Sequence, residues 1–152
     1  MKNDEIQNGG NSLAEKFMAR AKAVAARVSV ARGEEAVQSL VDADKAKFGT
    51  DNVGVVHASK GIAETGTCVV ETDGEDIRLA TMLPETSVIV LNVSDIVPAL
   101  PDIAPYLRER QKDGNISYTS LITGPSRTAD IERIGATGVH GPLDVHIILQ
   151  ED

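Results

Sequence analysis

Ser126-Arg127-Thr128 is the stretch of this chain best equipped for chemistry. Two hydroxyls flank a guanidinium, whose planar fork can hold a carboxylate or a phosphate at two points. Gly124 and Pro125 precede them and end an apolar run, Ile116 to Ile122, that reads as a buried strand. Thr128 can cap a helix that opens with Ala129, Asp130 and Ile131. A helix N-terminus offers free backbone N–H groups and the positive end of a dipole. The spacing therefore describes a site for a small anion at Gly124, Ser126, Arg127 and Thr128. The same residues also admit a plainer use, with Arg127 paired to Asp130 or Glu132 and Thr128 acting only as a cap.

Other reactive types are scattered. His140 lies in a glycine-rich turn, Gly138 to Pro142, beside Gly141, and is either a general acid or base or a histidine bonded to nearby backbone. Glu64 and Thr67, on a neighbouring loop, are expected to close the other side of the anion, with Gly66 among the binding residues. Asp130 in a first helical turn is ordinarily a favourable charge at the dipole. His146 alternates within the last strand, which suits packing, and His57 follows a strand end, which suits exposure. Three separate histidines without a His-x-x-x-His spacing give no metal site. Cys68 sits in an apolar strand pattern and is expected to be buried and inert. There is no Ser-His-Asp order, no Walker loop and no dinucleotide fingerprint, since a single glycine occupies the turn at 124.

The elements that must position these groups read as follows. Met1 to Asn11 is polar and is expected to be a flexible tail, leaving 12–152 as one domain. Ser12 to Glu15 fits a capping box, and Leu13, Phe17, Ala21, Val24 and Val28 form one stripe of a helix to about Arg27. Val28 to Ala31 is a short strand. A second helix starts at Gly33 and stops at Gly49. Strands are expected at Val53–Val56, Thr67–Glu71, Ser87–Leu91, Ile116–Ile122 and Val145–Leu149. Residues 57–63 read as a polar connection, Ile77–Leu83 as a short helix, and Asp102–Lys112 as the best helix of a proline-rich segment. Apolar strands alternating with helices argue for a mostly parallel sheet covered on both faces, a three-layer α/β domain.

Composition narrows the function. The 152 residues fit one domain, and a net charge of −8 argues against nucleic acid and anionic membrane surfaces. No apolar run is long enough to span a bilayer, and the first residues lack a signal peptide's apolar core, so a cytoplasmic protein is expected. One cysteine permits neither an internal disulfide nor an iron–sulfur cluster.

The run Gly124-Pro125-Ser126-Arg127-Thr128-Ala129-Asp130-Ile131-Glu132, followed by Gly138-Val139-His140-Gly141-Pro142, resembles the signature of the LUD (lactate utilisation) domain family, in its lactate utilisation protein C branch. Ala63-Glu64-Thr65-Gly66-Thr67 and Leu83-Pro84 resemble two further landmarks in the same order, and the likeness covers Val53 to Leu149. It implies a Rossmann-like fold of the NagB/RpiA/CoA transferase-like type. It also implies an accessory part in bacterial oxidation of L-lactate to pyruvate, with iron–sulfur clusters only on partner subunits and no cofactor in this chain. The stretch around Glu64 is similar to that around the catalytic glutamate of CoA transferases, although a structural loop carboxylate is the favoured reading of Glu64; the candidates for catalysis are Glu64, His140 and Asp130. Lactate, pyruvate or a phosphate-bearing molecule is the implied ligand. Two departures stand out. Family members carry a further strand–helix unit where this chain has only Asp44 to Asn52, and Ser87 stands where a histidine is common. A sheet short by one unit leaves an edge or an apolar face that another copy would cover, so a homo-oligomer is expected. A stand-alone enzyme on a phosphorylated or CoA-linked substrate, and a non-catalytic assembly module, remain alternatives, because fold alone does not fix function.

Overall fold

Val88 to Leu91 is apolar at every position because both faces of its sheet are covered. In the computed structural model, which describes residues 2–72, 85–112, 118–125 and 144–151, this run lies in the interior of a four-stranded sheet, here sheet A. Its strands are β1 (Arg27–Arg32), β2 (Val53–His57), β5 (Thr86–Asn92) and β8 (Asp144–Glu151), in the order β1-β8-β5-β2 and all parallel. Helix α1 (Lys2–Ala23) covers one face and α2 (Gly33–Phe48) the other. The strands alternate accordingly. Val145, Ile147 and Leu149 of β8 join Phe17 and Ala21 of α1 in the larger core, while Ile148 joins Val41 beneath α2.

A second sheet, sheet B, completes the layer beside α1. It contains β3 (Lys60–Ile62), β4 (Thr67–Thr72), β6 (Ile96–Val97) and β7 (Tyr118–Ile122), in the order β6-β3-β4-β7. Helix α3 (Ala104–Lys112) follows β6, and Ile103 and Leu107 pack with Ile62 and Val69. The mostly parallel sheet, with a helix on each face, is the expected α/β architecture. Among the described residues it has four strands, and α2 passes to β2 through residues 49–52 without an intervening strand–helix unit.

Three details differ from the sequence reading. First, 60–62 is a strand, not a polar connection. Second, Thr67–Thr72 and Tyr118–Ile122 belong to sheet B and pair antiparallel. The reason is local: β3 and β4 are joined by residues 63–66 alone, and so short a link can only make an antiparallel hairpin. Third, α1 reaches back to Lys2, through Gly9 and Gly10, where a tail to Asn11 was expected. The expected helices at Ile77–Leu83 and after Thr128 lie outside the described residues.

Candidate functional site

Cys68 of β4 stands opposite Ile122 of β7, so the residues just before β4 and just after β7 are neighbours. This pairing brings Gly66, Thr67 and Gly124 together. Thr67 is buried, and its Oγ1 lies 2.7 Å from Thr65 Oγ1 and 2.7 Å from Thr123 Oγ1. Thr65 and Thr123 are exposed. Three hydroxyls share these two hydrogen bonds, and each carries one proton. One proton of the three is therefore left to donate to an outside acceptor.

Glycine is required on both sides of this corner. Gly66 has φ +70 and Gly124 φ +68, a region that L side chains rarely enter. A Cβ at Gly66 would stand 2.5 Å from the Ala21 backbone N, and one at Gly124 would strike the Val24 carbonyl oxygen. Both loops thus lie directly on the last turns of α1. That places the corner at the amino edge of sheet A, because α1 leads into β1 there. Had β7 been a strand of the parallel sheet, as expected, it would instead have delivered the chain to that sheet's carboxyl ends. The negative end of the α1 dipole is also near, so an anion here would depend on hydroxyl and guanidinium donors. Glu64 is exposed, and its backbone N–H donates to the Pro98 carbonyl at 3.0 Å. Ser126, Arg127, Thr128, Asp130, His140 and Gly141 lie outside the described residues.

A second polar cluster lies under α2. Arg27 Nε donates to Asp144 Oδ1 at 3.0 Å, and its Nη2 to Asp144 Oδ2 at 2.5 Å. Its Nη1 and Nη2 also reach Asp44 Oδ1 at 3.2 Å and Oδ2 at 3.3 Å. His146 Nδ1 is 2.6 Å from Asp44 Oδ2, and Ser29 Oγ is 2.7 Å from His146 Nε2. Burial by itself raises the Asp44 carboxyl, but the bonds from His146 and Arg27 outweigh it and hold the group below its ordinary value. The Asp144 hydrogen bond leads in raising Arg27, against burial, with Asp44 adding to it.

Ser29, His146 and Asp44 have the connectivity of a hydrolytic triad, which the residue order in the sequence did not suggest. Their setting is that of a structural tie. Ser29 lies within β1 on the face covered by α2, and neither cavity described below is lined by any of the three. The cluster joins the end of α2 to the first residues of β1 and β8. One signal for it was present in the sequence: Asp44 occupies the inward stripe Val37, Val41, Asp44, Phe48. A carboxylate in such a stripe needs a buried partner.

The remaining residues are quickly placed. His57 is exposed at the end of β2. Burial pushes the Cys68 thiol up to about 12, so it stays neutral. Among the described residues no group of three or more His, Cys, Asp or Glu side chains could hold a metal ion. No described helix is long and apolar enough to cross a membrane. Two cavities open at the carboxyl side of sheet A. One of about 370 Å³ lies between α2 and β2, against Val37, Val41, Val55 and His57. The other, of about 400 Å³, lies between α1 and the ends of β1, β5 and β8.

A parallel sheet between two helices, with a glycine-gated hydroxyl corner beside it, defines an α/β domain of Rossmann-like type. The chain belongs to the LUD domain family, whose model matches residues 41–150. It is 37% identical over 117 residues to the protein named uncharacterized protein YkgG of Escherichia coli (strain K12), covering 76% of this chain and 48% of that protein. It is 36% identical over 103 residues to lactate utilization protein C of Geobacillus thermodenitrificans (strain NG80-2), covering 66% and 43%. The chain thus spans less than half the length of these relatives. A DUF162 family protein from Deinococcus radiodurans, known from its crystal structure, shares the fold with a TM-score of 0.65. That match has 15% identity and covers 93% of this chain and 98% of that one.

Proposed function

We propose that this chain is an accessory component of bacterial L-lactate utilisation that binds a small anion at the Thr65–Thr67–Thr123 corner. In this reading L-lactate is oxidised to pyruvate by the system as a whole. The electrons pass to iron–sulfur clusters on partner subunits, since one cysteine cannot hold such a cluster. The observation that carries the ligand part is the row of three hydroxyls with one proton to spare, on the two loops whose Gly66 and Gly124 lie against the end of α1. Arg127 follows Gly124 by three residues, a reach of about 11 Å at most. A guanidinium can therefore stand at the same corner with Ser126 and Thr128, and His140 or Glu64 would serve there as acid or base. Relatives named lactate utilization protein C support the system to which the ligand belongs. The ligand is L-lactate, pyruvate or a phosphate-bearing molecule.

Deletion of the gene tests this. The deleted strain should lose growth on L-lactate and keep growth on pyruvate, and the intact chain should restore it. Arg127→Ala should fail to restore it. Full rescue by Arg127→Ala would favour a second reading, an assembly module without ligand. The β2 edge of sheet A, which has one strand neighbour among the described residues, supports that reading.

A further inference from the structure

We propose that the crevice between α1 and the carboxyl ends of β1, β5 and β8 is a separate ligand site, for a small α-hydroxy or α-amino carboxylate with an apolar tail. It lies where connections part: β1 runs into α2 on one face of sheet A, β5 runs toward β6 on the other, and β8 stands between. Open α/β sheets bind ligands at such points. The cavity, of about 400 Å³, is of the size that small-molecule sites have.

Its lining sorts by chemistry. Arg32 and Glu151 are register partners at the ends of β1 and β8, and Asn92 and Gln150 are partners at the ends of β5 and β8. Among the described residues, Arg32 has no ion-pair partner, although Glu151 is beside it. This contrasts with Arg27 on the same strand, which two carboxylates saturate. A guanidinium and a carboxylate that stand side by side without closing on each other suit a ligand carrying both an acid and a donor. Arg32 would take the carboxylate at two points. Glu151 would accept from the hydroxyl or ammonium, and the Asn92 amide would serve either group. Leu13, Val93 and Ile96 form the apolar part of the lining and would receive the tail.

The test is an NMR titration of the isotopically labelled full chain with L-leucine, its α-hydroxy analogue and the parent acid bearing hydrogen at that carbon. The first two should give saturable shifts at the amides of Arg32, Asn92, Gln150 and Glu151. The parent acid should bind about tenfold more weakly, and Arg32→Gln should lower affinity for the first two by a similar factor or more. Both Arg32 and Asn92 are exposed, so Asn92→Ala is a second variant expected to fold and to bind less well. Unmoved core amides such as Ile89 and Ile147 would show the fold intact. Equal affinity in Arg32→Gln, equal affinity for the parent acid, or no saturable shift at these amides would overturn the proposal. Shifts at Gly66, Thr67 and Gly124 alone would also overturn it, while leaving the anion corner standing.

Discussion

A carboxylate under a helix must be answered, and Asp44 is answered twice, by Arg27 and by His146. Removing it leaves a cation and an imidazole facing a gap. Asp44→Ala should therefore cost about 3 kcal/mol, the lower part of the range for breaking a buried pair, because water reaches Arg27. Urea unfolding measures this directly. The pH dependence has a definite sign. Asp44 titrates lower in the folded chain than in the unfolded one, so its contribution is complete above about pH 4 and is lost as pH falls through the folded value. Asp44→Asn should flatten that acid limb of the stability curve. At this scale the sequence was only partly legible. Asp44 broke an apolar stripe, but its partners on β1 and β8 are far along the chain, and no local pattern names them. His146 showed its strand alternation, which suggested packing and hid its bond to Asp44.

Elements were easier to read where burial is two-sided or a stop signal is strong. β5 announced itself by the unbroken apolar run Val88 to Leu91, β8 by an apolar run interrupted only at His146, and α2 by its stripe and by Gly49, which has φ +97. Sheet B was harder. Three-residue and two-residue strands carry no periodicity, and their pairing joins segments distant in sequence. The turn that seats α1 on β1 has a cost of its own. Ala25 closes the helix at φ 74, where glycine is usual, and the Ala26 N–H donates back to the Ala21 carbonyl at 3.0 Å. Ala25→Gly removes about 1–2 kcal/mol of backbone strain and adds about 0.4–1 kcal/mol of unfolded-chain freedom. A net gain of roughly 0.5 kcal/mol is expected, seen as a small rise in Tm. The opposite change at the corner should be severe. Gly124→Ala meets both a left-handed φ and the Val24 carbonyl, and should lose about 2 kcal/mol or more by the same assay.

For the molecule as a whole, the architecture and the family were legible, the first from alternating strands and helices and the second from the motif at 124–142. The placement of the hydroxyl corner was not. It follows from β7 joining sheet B, a pairing fixed by a distant hairpin. Sheet A also leaves β2 with one strand neighbour among the described residues. An edge of this kind is commonly covered by another copy. Sedimentation should show a dimer or larger species at high concentration, and a monomer throughout would count against it. The proposed function rests on binding of an anion. Calorimetric titration of L-lactate, pyruvate and phosphate into the intact chain and into Arg127→Ala tests it most directly. One of the three should bind saturably to the intact chain, with affinity lower by about tenfold or more in Arg127→Ala. Equal affinity in the two proteins with the fold intact, or no binding of any of the three, would contradict the account.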